Sequence, residues 1–190
     1  MRRIIFLLLA VFLILFSGSS LKKEIKQLFP REGKVEKLGE IYTPYLLNDS
    51  PLYFLKKWDE RIELFFTSDY AEKAKKELSF ANKRLLEASK MTERKKYRLA
   101  LSSLDDFAET MRQGIFFAEK VIGDENKMES LSWLFQDALL DQQRILMDIV
   151  GAVSGEEKKR AMAIKEGNLK EVVSLIKNLH GLNQDEFQEE

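Results

Sequence analysis

The feature that most narrows the folds open to this chain is a run of small residues at helical spacing. Ala71, Ala74, Leu78, Ala81, Leu85 and Ala88 alternate steps of three and four residues without interruption, and four of the six are alanine. Residues so spaced share one stripe of an α-helix and would scatter over both faces of a strand. Small side chains on that stripe let a second backbone come close, so the spacing predicts tight antiparallel packing on the preceding or the following helix. Thr67, Ser68 and Asp69 stand ahead of it as capping residues, and the helix is expected to run to about Ser89.

Helical spacing continues on both sides. Upstream, Ser50 as N-cap and Pro51 at the first helical position mark a start. Leu52, Leu55, Trp58, Ile62 and Phe65 then share one face, and Tyr53, Phe54, Leu64 and Phe66 widen it, so this helix is expected to be covered on two sides. Trp58, Phe65, Phe66, Tyr70 and Phe80 could line a ligand groove, but their spacing reads as core packing, since each large ring buries roughly 150–250 Å².

Downstream, Thr92 is expected to cap a third helix with its seam at Tyr97, Leu101, Leu104, Ala108, Met111, Ile115, Ala118 and Ile122. A bend near Gly114 is expected, and Gly123 suits the left-handed residue that ends a helix. Asp124 caps a fourth helix with its seam at Met128, Leu131, Phe135, Ala138, Ile145 and Ile149. Trp133, Leu140 and Met147 recur every seven residues on a different side of it. A fifth helix opens with a capping box from Ser154 to Glu157, with Gly167 and Asn168 as a break before Leu169 to Leu179. No window keeps strand alternation between turn signals. The fold class expected is therefore all-α: an antiparallel helical bundle of four to five long helices over residues 50–180.

The ends differ from this middle. Residues 1–20 place Arg2 and Arg3 ahead of an apolar run from Ile4 to Phe16 and then small residues, the pattern of a signal peptide or of an uncleaved membrane anchor. Either reading puts the rest of the chain outside the cytoplasm, secreted or held at the membrane by that segment. Residues 21–49 read as a tether, with Tyr42, Tyr45, Leu46 and Leu47 apolar enough to fold back on the bundle. Residues 181–190 read as a frayed acidic tail.

Composition limits the chemistry. Thirty-one basic and thirty-one acidic residues cancel, so nothing supports a nucleic-acid partner. With no cysteine there is no thiolate nucleophile, thiolate metal site, disulfide or lipid-modified cysteine. His180 is the only histidine and falls in the last turn of the last helix, a place for capping rather than catalysis. Ser20 with Lys23, and Ser174 with Lys177, fit Ser-x-x-Lys without the motifs that accompany it in penicillin-interacting enzymes. Asp105, Asp106 and Glu109 cluster, and Asp137 and Asp141 share a helical face. Facing carboxylates of that kind could hold a hard cation, although a solvated face explains the spacing. Arg84 and Glu87 could meet a partner, or simply pair with Glu60 or Glu63.

The wording SPLYFLKKWDERIELFFTSD, followed by Lys73 to Leu78 and Phe80 to Ala88, resembles an exported bacterial helical domain, the domain-of-unknown-function family 5667. The resemblance extends over about Tyr42 to Leu146. Relatives often carry an acidic residue where this chain has Asn82. It implies a secreted or membrane-targeted helical module and no reaction.

The function expected is a non-enzymatic binding or structural module at the cell envelope, with no cofactor, no catalytic residue and no metal site. Trp133, Leu140 and Met147 form the candidate face for a protein partner or for self-association. The membrane is a partner through the N-terminal segment if that segment is uncleaved. The alternative is an envelope enzyme or divalent-metal-binding protein using the helix carboxylates.

Overall fold

The computed structural model describes residues 50, 53–121 and 123–180. The signal or anchor at 1–20, the tether at 21–49, the tail at 181–190 and the positions Pro51, Leu52 and Ile122 lie outside the described residues. Five helices follow one another: α1 Tyr53–Phe65, α2 Tyr70–Glu93, α3 Tyr97–Glu119, α4 Glu125–Ala152 and α5 Gly155–Leu179. The fold is all-α, as the spacing predicts, and no strand occurs among the described residues.

Two antiparallel hairpins make the bundle. α2 packs on α3 and α4 packs on α5, while α2 also meets α4 and α3 meets α5. The link between α3 and α4 thus crosses a diagonal, and the two hairpins meet through parallel neighbours. The alanine stripe explains the tightest of these pairings. Ala74, Ala81 and Ala88 are fully buried, and Gly114 of α3 comes so close to α2 that an added Cβ would lie 3.3 Å from Glu77 Cβ and 3.6 Å from the Ala74 carbonyl. Gly114 therefore serves close approach, and α3 runs through it as one helix.

Phe107, Phe135, Leu85, Leu104, Leu131 and Leu146 fill the centre. Some boundaries depart from expectation. Thr92 does not cap α3; it lies within α2, and its hydroxyl donates back to the Ala88 carbonyl at 2.9 Å. The turn is made instead by Lys95 at φ 58. α5 is unbroken at Gly167 and Asn168, because Asn168 points its amide inward to Gln142 rather than competing for the helix backbone. Asp69 and Asp124 cap α2 and α4 as predicted, accepting from the Glu72 and Lys127 amides; Gly123 holds the expected positive φ, 110, but α3 has already ended at its C-cap Lys120.

Candidate functional site

α1 reverses the expected orientation. Its thirteen residues include none that is buried, and Phe54, Leu55, Trp58, Ile62 and Phe65 are all exposed, with Phe65 and neighbouring Phe66 at 81% and 80%. The expectation that this helix is covered on two sides and that Trp58, Phe65, Phe66 and Tyr70 pack in the core is overturned; of those five aromatics only Phe80 is buried. At 3.6 residues per turn these apolar positions share a face about 120° wide, and Tyr53, Lys56, Lys57, Glu60 and Glu63 occupy the opposite face. It is the polar face that meets the bundle.

The reason lies in what α2 offers. Arg84 and Glu87, one turn apart on α2, are 3% and 0% exposed, and ionised groups are tolerated there only with partners. α1 supplies them. Tyr53 donates its hydroxyl to Glu87 Oε2 at 2.7 Å, Lys56 pairs with Glu87 and Glu60 with Arg84. Arg84 NH1 closes the set on Glu87 Oε1 at 3.2 Å. Two cations and two carboxylates balance. Outer pairs fasten the rim: Lys57 to Asp106 of α3 at 2.6 Å and Lys76 to Glu63 at 3.0 Å. Long charged side chains hold α1 away from α2, so the two backbones share few close approaches.

Burial and charge act in opposition across this cluster. Burial pulls the Lys56 ammonium down and pushes the Glu60 carboxyl up, in both cases against the opposite charge beside them. Burial also pulls Arg84 down, but Glu60 and Glu87 together hold it above its usual value. The Tyr53 hydroxyl is pushed far up by burial and by Glu87. Glu60 Oε1 has no hydrogen-bond partner. Next to the cluster Glu77, 8% exposed, carries no cation of its own; burial first, and Glu60 second, push its carboxyl from 4.5 to about 7.

A second polar layer lies inside the bundle. Gln142 of α4 donates to Asn82 Oδ1 of α2 at 2.7 Å and accepts from Asn168 Nδ2 of α5 at 3.0 Å. An amide at Asn82 suits this neutral chain of amides. Asn168 Oδ1 is left unpaired, beside a cavity of about 250 Å³ between α3 and α5 that is lined by Met111, Ile164 and Arg160 among others.

The carboxylates singled out from sequence do not converge. Asp105 pairs with Arg160 of α5, Asp106 with Lys57 of α1, and Asp141 with Arg144 of its own helix, while Glu109 and Asp137 are exposed. Among the described residues no group of three His, Cys, Asp or Glu could hold a metal ion. Arg84 takes the structural alternative, the pair with Glu60. His180 caps α5, with Nε2 2.6 Å from Ser132 Oγ. Trp133, Leu140 and Met147 stand on the outside of α4 at 62%, 71% and 60% exposure. Among the described residues no helix is long and apolar enough to cross a membrane.

Sequence reasoning offered the Arg84–Glu60 pair as an alternative but missed Lys56 and Tyr53 on Glu87 and the inward turn of the polar face of α1, although a signal for it exists. Tyr53, Lys56, Lys57, Glu60 and Glu63 recur at the same three and four residue steps as the apolar residues. Two complementary stripes define an amphipathic helix without saying which one meets the bundle.

The family model described as "Domain of unknown function (DUF5667)" matches residues 45–178, which takes in all of α1 to α4 and nearly all of α5. The match runs well past Leu146, as the role of α5 in the core and in the amide layer requires. No curated protein and no solved structure matches the chain. With all five helices inside the matched span but for the last residue of α5, the chain belongs to the family of the domain of unknown function DUF5667.

Proposed function

We propose that this chain is a non-enzymatic binding module of the cell envelope, and that the outer face of α1 is its working surface. The observation that carries the reading is the inverted docking of α1. A helix that spends its charged face on the bundle and turns Phe54, Leu55, Trp58, Ile62 and Phe65 outward leaves apolar surface on the order of 600–700 Å² with Phe66 included. Monomers rarely carry an apolar patch above about 300–600 Å² without a use for it. The envelope address is supported by the apolar run Ile4 to Phe16 behind Arg2 and Arg3.

Among the described residues the acidic groups singled out do not converge: Asp105 and Asp106 pair with different helices and Asp141 pairs within its own. The test is photo-crosslinking in cells, with a photoreactive residue placed at Trp58 or Phe65 and, as control, at Lys75 of α2. Adducts in the envelope fraction from positions 58 and 65 and not from 75 are expected. Equal labelling from all three positions, or none, would refute the reading.

A further inference from the structure

The opposite side of the bundle carries a second apolar face, built from two helices. α4 and α5 are antiparallel, and their register is pinned by Ser132 against His180, Gln142 against Asn168, and Gln143 Nε2 donating to the Lys165 carbonyl at 3.4 Å. That register sets Met147 level with Met162 and Leu140 level with Leu169, with Val173 about one turn from the level of Trp133. All six are exposed, Leu140 most at 71% and Val173 least at 38%. The α5 residues lie on the flank toward α4, because the other flank is turned to α3, where Arg160 meets Asp105 and Ile164 and Gly167 line the cavity. The result is a band of two apolar stripes in three levels, on the order of 600 Å² per chain, with Gln136, Gln143 and Lys165 between them.

The borders of the band differ in charge. Along the edge of α4 away from α5 run Asp137, Asp141 and Asp148, with Arg144 the one base among them. Along the edge of α5 away from α4 run Lys159, Lys170 and Lys177, with Glu166 among them and Glu156 paired to Lys159 at 2.7 Å. We propose that this face is the interface of a two-fold homodimer in which α4 of one copy packs antiparallel on α5 of the other. The two-fold axis lies parallel to the helices between α4 and α5. Each acidic border then meets a basic border, and Leu140 of each copy meets Leu169 of its partner. Stacking α4 directly on α4 would set acidic border against acidic border. With its charged rim the face approaches the roughly 800 Å² per partner of a standard interface, and the isologous arrangement closes on itself.

This face is remote from α1, which rides on α2 with Lys57 reaching α3, so the inference does not depend on the function proposed above. The chain has no cysteine, which makes disulfide mapping clean. Two differently tagged full-length copies, one Leu140→Cys and one Leu169→Cys, are co-expressed and oxidised in intact cells. A mixed disulfide at least tenfold more abundant than with Leu169→Cys against Glu119→Cys is expected, and Leu140→Asp in place of Leu140→Cys, with Met147→Cys against Met162→Cys as reporter pair, should lower it at least tenfold. Three results overturn the proposal: no mixed disulfide, a yield equal to the control as when lipid or another protein covers the face, or a dominant Leu140→Cys homodisulfide.

Discussion

Replacing Glu77 by glutamine should make the bundle more stable in alkaline solution and leave it nearly unchanged in acid. Glu77 sits on α2 opposite Gly114, 8% exposed, and its carboxyl is pushed from 4.5 to about 7 by burial and then by Glu60, against the pull of Arg84. The folded chain therefore holds a proton that the unfolded chain has released between pH 4.5 and pH 7. Its contribution to stability is fully present below 4.5 and is lost as pH rises through 7. At about 1.4 kcal/mol per pH unit the ceiling is roughly 3 kcal/mol; solvent reaching the carboxyl reduces this to about 1–2 kcal/mol. Glu77→Gln keeps the shape and cannot ionise. Urea titrations followed by circular dichroism at pH 4.5, 6, 7 and 8 on both proteins, read as the difference between them, cancel the titrating groups that do not interact with Glu77. A variant advantage that grows from near zero to about 1–2 kcal/mol is expected. A difference that stays flat with pH, or that favours the glutamate at pH 8, would show that Glu77 is ionised and compensated in the fold.

Three further outcomes follow from the packing. Leu85→Asp places a charge without a partner on the fully buried seam of α2 and should abolish cooperative thermal unfolding; a melt like that of wild type would mean the stripe is mis-phased. Arg84→Met removes the cation shared by Glu60 and Glu87 and should cost about 3–5 kcal/mol, with α1 amides exchanging faster than those of α3; unchanged exchange in α1 would contradict the ionic docking. Gly114→Val drives side-chain atoms into Glu77 and the α2 backbone, where even a Cβ would come within 3.3 Å. A loss of about 1–3 kcal/mol by chemical denaturation is expected, and a stabilised variant would deny the close approach.

Helix identity, the two aspartate caps, the left-handed Gly123 and the alanine seam were all legible because each is a local matter. Spacing of three and four residues, a side chain that reaches the third amide and a backbone without Cβ act within one or two turns of chain. The seams of α2 and α4 were placed correctly for the same reason, although α4 carries a second apolar stripe, Trp133, Leu140 and Met147, that stays exposed. Thr92 misled because a threonine hydroxyl serves equally as a cap and as a donor to the carbonyl four residues back. Asn168 misled because a buried asparagine reads as a breaker until its partner Gln142, twenty-six residues away, is known.

What the sequence determined by itself is therefore an all-α chain, its helix limits to within a turn or so and the residues of its central core. What only the tertiary structure decided is which side of α1 faces inward. Arg84 and Glu87 are two buried charges of α2, and their burial selects a neighbour that brings Lys56 and Glu60. Pairing those charges fixes the docking face of α1, since each buried charge left without a partner costs several kcal/mol, while the apolar side chains turned outward forgo burial worth about 1.5–3 kcal/mol apiece. That comparison depends on which residues meet across helices, and helical spacing carries no record of it.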